Sequence, residues 1–579
     1  MANFRIPNSQ GQTRTIYQTD KYGELWDTFG IDLQSIGKIK SAKKMLKVKD
    51  VGDDTNFGDA VALATYGTAN YVITSGTDKE MYRCDVVNDV TVEANWVKIN
   101  TNGVFVHNTD ATVFGGELLV SQATDIMSYD GSSDDPDWWT SDTPCTEDSC
   151  DANGASLSSF FPHVLKVQRS QQETLFVTDG NLVRYYNATA GHSTVTLQED
   201  TVACCLSSGP SSMFVGTFTE TNEKALVYEI FIGEVLGSTP VARNSYPIDG
   251  RAVLAIEVID GIPYVITDKG HIQRFNGAGF VTVNSLPFAF TDETLAGVRA
   301  GTVNKNSQLR PIHHGGSDVH NQSFYFALNT ERYNTDKTPN RCSTGIWEYN
   351  TVTNQLNHRS AFVETAAQNG GHLGAKSGPL MVIDNSESLF LAGFELNGES
   401  NGLFAESTSR FGHIITREIE TASVTESFKS LYLKIKTIVN DDTVDIKYRT
   451  NDRDRQCITG TWISTHTFNT TETLTVEIGD ELTLIDGNGA GSISHVTGVD
   501  NSLTVTSVTL ADAIGVIGEV DVAEVTTFNK IPVDYTDEDK EFKKTGSDQV
   551  GTWIQFKLVF NGEIVLREFI SSGTVNTEL

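Results

Sequence analysis

Apolar and polar positions recur along this chain as a phrase: an apolar strand, a tight polar turn, then a strand with an aromatic near its end. It reads Tyr71-Val72-Ile73-Thr74…Met81-Tyr82, then Leu118-Leu119-Val120-Ser121…Ile126-Met127-Ser128-Tyr129. It returns as Leu175-Phe176-Val177-Thr178-Asp179-Gly180…Val183-Arg184-Tyr185 and as Tyr264-Val265-Ile266-Thr267…His271-Ile272-Gln273-Arg274-Phe275. Weaker copies stand at Phe324-Tyr325-Phe326…Ile346-Trp347-Glu348-Tyr349 and Leu389-Phe390-Leu391…Gly402-Leu403-Phe404. A unit of short strands repeating every ~40–70 residues predicts an all-β chain built around a β-propeller, here of six or seven blades. One unit cannot bury its own apolar face, so the copies must pack side by side around an axis. Asp130-Gly131, Asp179-Gly180, Asp260-Gly261 and Asn276-Gly277 supply the tight turns between strands.

The texture changes on either side of the repeats. Residues 1–50 read as an N-terminal arm with a short entry strand, and 51–410 as the propeller. Beyond it, Ser430–Lys436 and Val444–Arg449 alternate, which predicts strands with one buried and one solvated face. Thr552–Phe560 and Ile564–Ile570 close the chain in the same manner. Together 411–464 and 529–579 predict a β-sandwich, split by a small β-barrel at 465–528 that carries the turn Asp486-Gly487-Asn488-Gly489-Ala490-Gly491.

Composition adds a charge problem. The formal net charge is −32, which disfavours tight binding to DNA or to an anionic membrane. The basic residues Lys38, Lys40, Lys43, Lys44, Lys47 and Lys49 cluster, either as a solvated face or as a docking strip for an acidic partner. Met1–Pro7 lacks the apolar core of an export signal, so synthesis in a cytoplasm is expected. Of the 7 cysteines, Cys204 and Cys205 are adjacent on a predicted strand and should point to opposite faces. Cys145 and Cys150 bracket an acidic loop and are a candidate local disulfide, which a reducing cytoplasm disfavours.

A search for chemistry yields no catalytic, cofactor-binding or metal-binding residue to assign, and the chain is expected not to be an enzyme. There is no Gly-x-Ser-x-Gly elbow, no phosphate-cradling Gly-rich loop and no His-Glu-x-x-His. His313-His314 lacks spaced partner ligands and reads as a solvent or turn pair after Pro311. The loop Asp130–Asp142 could offer Asp130, Asp134, Asp135 and Asp137 to Ca²⁺, but a solvated acidic loop explains it as well. Trp138 and Trp139 in that loop suggest a contact with a neighbour, a sugar platform, or a cover for a blade rim.

The order of parts resembles a known family. Asp32-Leu33…Gly37-Lys38-Ile39 leads into the repeats; Thr416-Arg417-Glu418-Ile419-Glu420-Thr421 and Phe428-Lys429-Ser430-Leu431-Tyr432-Leu433 follow, and Phe556-Lys557-Leu558 stands near the end. The layout is similar to the β-propeller nozzle or hub proteins in the tails of short-tailed bacteriophages, and the resemblance covers most of the chain. It implies a structural virion protein, assembled in the host cytoplasm as a homo-oligomer, a six-fold ring below the portal and adaptor. The implied partners are the head–tail connector proteins, the tail fibres, and genomic DNA that passes during ejection without sequence-specific binding; no membrane and no cofactor are implied. Two rivals remain: a receptor- or glycan-binding tail adhesin, and a propeller hydrolase.

Overall fold

The computed structural model describes residues 3–5, 25–29, 31–32, 39–50, 60–74, 81–99, 110–121, 126–131, 137–138, 157, 163–169, 173–187, 191–219, 224–232, 240–286, 312–328, 345–362, 378–383, 389–392, 402–416, 419–420, 426–435, 443–450, 455–471, 476, 480–484, 493–501, 505–510, 515–526, 529–531, 540–543, 553–561 and 565–575. Among them the chain is nearly all β; a single 3-10 turn at Glu93–Asn95 interrupts it.

Five four-stranded antiparallel sheets follow one another, each in simple sequence order. The first holds Ala60–Tyr66, Ala69–Thr74, Met81–Asp85 and Val97–Ile99. The second holds Ala111–Phe114, Glu117–Ser121, Ile126–Tyr129 and Asp137–Trp138. The third runs from Leu165–Arg169 through Glu173–Asp179 and Leu182–Asn187 to Gly191–Thr196. The fourth is Thr201–Ser208, Ser212–Thr219, Leu226–Phe231 and Val241–Pro247; the fifth is Val253–Ile259, Ile262–Thr267, His271–Phe275 and Phe280–Ser285. A sixth set, Ser317–His320, Ser323–Leu328, Gly345–Asn350 and Gln355–Phe362, pairs in the same meander. The last set is Leu380–Val382, Leu389–Ala392 and Gly402–Thr416, completed by Ile39–Asp50 from near the N-terminus.

The first strand of each set touches the first strand of the next, and Leu380–Val382 returns to touch Ala60–Tyr66. The sets therefore surround a common axis. Burial is graded outward. The second strands Ala69–Thr74, Ser212–Thr219 and Ser323–Leu328 are buried along their whole length, whereas the outer strand Val241–Pro247 is almost wholly exposed. The repeated phrase coincides with second and third strands because these carry the continuous apolar runs. The turn Asp260-Gly261 has φ of 50° and 78°, the left-handed pair that a two-residue hairpin between Ile259 and Ile262 requires.

The N-terminal segment is paired into the ring over its last strand. Ile39–Asp50 pairs antiparallel with Gly402–Thr416 and, through Lys43–Met45, parallel with Ser360–Phe362 of the sixth set. Its Ala42, Met45 and Val48 are buried. Lys43 is no docking residue: its ammonium lies 3.0 Å from the buried Glu406 carboxylate.

Gly402–Thr416 serves two sheets. Its first half completes the ring; its second half pairs with Leu25–Phe29 and Trp553–Asn561. Trp553–Asn561 in turn pairs with Thr443–Thr450, whose other neighbour is Asn529–Ile531. A second antiparallel array joins Lys540–Lys543, Glu426–Ile435 and Val565–Val575, with Asn3–Arg5 at the end of the last, and meets the ring where Ile39 and Lys40 pair with Leu566 and Val565. Val444, Ile446 and Tyr448 are buried as their alternation predicts, yet Lys447 and its cross-strand neighbour Lys557 are also buried, at 6% and 3% exposure. The second face is thus covered, not solvated.

Six strands, Arg455–Trp462, Thr467–Thr470, Thr506–Leu510, Ile493–Asn501, Glu481–Leu484 and Val520–Thr526, close into a barrel. It occupies 455–526, beginning earlier than the 465 boundary read from sequence, because Arg455–Trp462 pairs along its length with Val520–Thr526. Trp462 fills its core and donates Nε1–H to Asp521 at 2.8 Å. A Cβ at Gly515 would lie 2.0 Å from the Trp462 ring. Gly515→Ala is therefore expected to destabilise the barrel by about 1–3 kcal/mol. Hydrogen exchange should quicken across 455–526 while the sheets of the ring keep their protection.

Candidate functional site

The first strands of the sets line a half-open axial cavity of ≈ 480 Å³. A first strand must satisfy its neighbours on both sides and still face the axis, and here four of them place a charged residue on that face: Asp110, Lys166, Glu257 and Asp318. Asp110, Lys166 and Asp318 are half-buried and Glu257 is buried.

Each carboxylate ties sheets together. Asp110 accepts from Ala111 N–H and, across to the third sheet, from Leu165 N–H, both at 2.9 Å. Glu257 of the fifth sheet accepts from Ser207 of the fourth at 3.2 Å and from Ser317 of the sixth at 2.9 Å. Asp318 accepts from Val319 N–H at 2.8 Å and from Val382 N–H of the last set at 2.9 Å. Lys166 lines the same cavity, within electrostatic reach of all three.

Burial pushes the Asp110 carboxyl up to about 6, against the pull of its two backbone donors and of Lys166. Burial also raises Glu257, opposed first by the Lys166 charge. The Lys166 ammonium is held above its ordinary range by Glu257 first, then by Asp318 and Asp110. Removal from water disfavours each carboxylate, and the cavity's own negative potential favours the cation. Such a centre can hold a proton near neutral pH.

The residues singled out from sequence do not meet here, except His314 and Cys205. His314 lines the cavity; its Nδ1–H donates to the Cys204 carbonyl at 3.0 Å. His313 accepts from Gly315 N–H at 3.1 Å within a turn. Both rings are buried, which corrects the solvent-facing reading. Among the described residues no group of three His, Cys, Asp or Glu is placed to hold a metal ion. Cys204 and Cys205 do not point to opposite faces: the register shifts between Ala203 and Cys205, and both thiols approach the Val253 carbonyl, at 3.1 and 3.8 Å. Asp137–Trp138 pairs with Met127–Ser128 as a short edge strand. Most of the acidic loop, Trp139, Cys145 and Cys150 lie outside the described residues, as does the turn at 486–491.

The cavity charges escaped motif reading because they are scattered from 110 to 318. A signal did exist: Lys166, Glu257 and Asp318 each interrupt an otherwise apolar or small-residue stretch just upstream of a copy of the repeated phrase.

No family model matches this sequence, and no curated protein matches it. Among solved structures, the computationally designed Ika8 protein is 11% identical with a TM-score of 0.35, covering 62% of this chain and 99% of that one. A streptogramin B lyase is 11% identical with a TM-score of 0.33, covering 61% and 94%. BBS1N, in a complex with ARL6DN, is 8% identical with a TM-score of 0.36, covering 63% and 98%. Likenesses this distant assign no activity to this chain.

Proposed function

We propose that this chain is a structural subunit of a tail nozzle or hub in a short-tailed bacteriophage, one of six in a ring that conducts DNA during ejection. The ring of sheets is, on this reading, a seven-bladed propeller whose last blade is closed by Ile39–Asp50, and the sheets around Trp553–Asn561 are a sandwich that builds the tube wall. The observation that carries the reading is the shared strand Gly402–Thr416. A hinge between the two parts would have to break the hydrogen-bonded ladders on both sides of it. A wall element under the pressure of moving DNA needs that stiffness.

Charge supports the same reading. Six copies at −32 each carry roughly −190 formal charges, and a lumen of that sign lets a polyanion pass without adhering. The inserted barrel adds an apolar end, where Ile463, Val516, Ile517 and Val520 are all exposed around backbone bonds from Gly518 to Trp462 and from Trp462 to Glu519. Such a surface suits contact with another subunit or a connector protein. No reaction is assigned to the chain, and its place is the virion tail, reached by assembly in the host cytoplasm.

Native mass spectrometry and electron microscopy of the full chain, alone and with the head–tail connector, test this. A closed ring with an axial channel is expected. A protein that stays a 63.2 kDa monomer in both conditions would sink the proposal. One surface favours an adhesin instead: Tyr246, Phe275 and Phe280 cluster half-exposed on outer strands, with ring centroids 4.7 and 5.5 Å apart along the series. Specific binding on a glycan array would support that second reading.

A further inference from the structure

We propose that the axial cavity is a proton-binding centre: Asp110 and Glu257, with Lys166 and Asp318 beside them, take up a proton as pH falls from 8 to 5, and the ring of sheets is tightest in the protonated form. This inference rests on the cavity alone and holds whether or not the chain is a nozzle subunit.

Charge is concentrated in this half-open cavity. Three carboxylates face one ammonium, so the fully ionised cluster carries a net charge of −2. The remaining titratable or charged lining groups are Arg169, His314 and Cys205. Arg169 is engaged by Glu173 at 3.0 Å and by the Val113 carbonyl at 3.1 Å, so its charge is directed away from the cluster. His314 spends its Nδ1–H on Cys204, and the buried Cys205 thiol lies against Val253. The first strand and Leu380–Val382 contribute Leu63, Ala64, Thr65, Leu380, Met381 and Val382, none of them charged.

The carboxylates belong to different sheets, and each also holds a neighbouring one. Repulsion between them therefore acts across the interfaces that close the ring. One proton lowers that repulsion, and on Glu257 it leaves a hydroxyl that the Ser207 or Ser317 oxygen can accept. The sign follows from linkage. A carboxyl titrating higher in the folded chain than in the unfolded one binds more protons when folded. Its contribution to stability then rises as pH falls through the folded value and levels off below the unfolded value near 4.

Glu257→Gln is the direct test, because Ser207 and Ser317 can donate to or accept from the amide and the hydrogen bonds survive. Thermal unfolding from pH 5 to pH 8 should show the variant with the higher Tm at pH 8 and the difference vanishing by pH 5. Lys166→Met removes the cation that acts on the three carboxylates and should lower Tm most at pH 8 and least at pH 5. If Lys166→Met does not fold, the Glu257→Gln profile decides alone. A Glu257→Gln curve that runs parallel to wild type, or below it at pH 8, overturns the proposal.

Discussion

Glu406→Ala is expected to release the N-terminal strand from the ring. The carboxylate is 2% exposed and accepts from three groups: Lys43 at 3.0 Å, Arg359 at 3.3 Å and the Ser360 hydroxyl. Lys43 belongs to Ile39–Asp50, Arg359 and Ser360 to the sixth set, and Glu406 to the last. One side chain thus joins three segments that are far apart in sequence. Alanine removes the carboxylate that both cations share. Removing one partner of a buried ion pair costs about 3–5 kcal/mol; the partial exposure of Lys43 and Arg359, at 12% and 19%, places this case at the lower end. Hydrogen exchange should accelerate in 39–50 and 402–416 first, ahead of the middle sheets. Glu406→Gln keeps the Ser360 contact and should lose less. Unchanged protection of 39–50 in the alanine variant would show that the ladder alone holds the strand.

The largest loss of packing is expected from Trp347→Ala. Trp347 is fully buried at the centre of the cluster that joins the fourth, fifth and sixth sets, with Phe324, Phe326, Tyr349, Ile272 and Leu356 among its members. Its ring stacks on His358 at 4.9 Å with planes 11° apart. Truncating a buried aromatic costs about 3–5 kcal/mol, from lost transfer energy and from the void left behind. The loss should appear as a lowered denaturant midpoint for the ring while the 455–526 barrel, whose core is built from its own residues, keeps its exchange protection. Trp347→Phe should recover part of the loss. Equal destabilisation of barrel and ring would mean that they unfold as one unit.

The grading of burial explains which parts of this fold were legible in the sequence. Second and third strands carry long apolar runs, so their copies stood out. The fourth copy went unread because Gly216 interrupts Ser212–Thr219 and its partner strand begins only at Leu226. Gly216 is there for close packing: a Cβ would lie 2.5 Å from the Cys205 sulfur and 2.7 Å from Val253. The polar outer strands gave no signal, since Val241–Pro247 faces solvent on both sides. Ile39–Asp50 was hidden by its lysines, which read as a charged surface although Lys43 is spent on Glu406. The cavity was least legible of all. Its charges are single residues on separate strands, and only closure of the ring brings them together. The cysteine pair misled because a bulge, invisible in an alternating pattern, re-aims one of its members.

The strand Ile39–Asp50 also sets a timetable. It leaves the ribosome more than 350 residues ahead of its partner Gly402–Thr416. At ~5–20 residues per second the nascent strand waits roughly 20–70 s with an open edge. During that interval the growing chain is a spiral of sheets without a seam, and an unpaired edge is where a second nascent chain could attach. The lysines that obscured the strand in the sequence supply mutual repulsion between such edges until the seam is made.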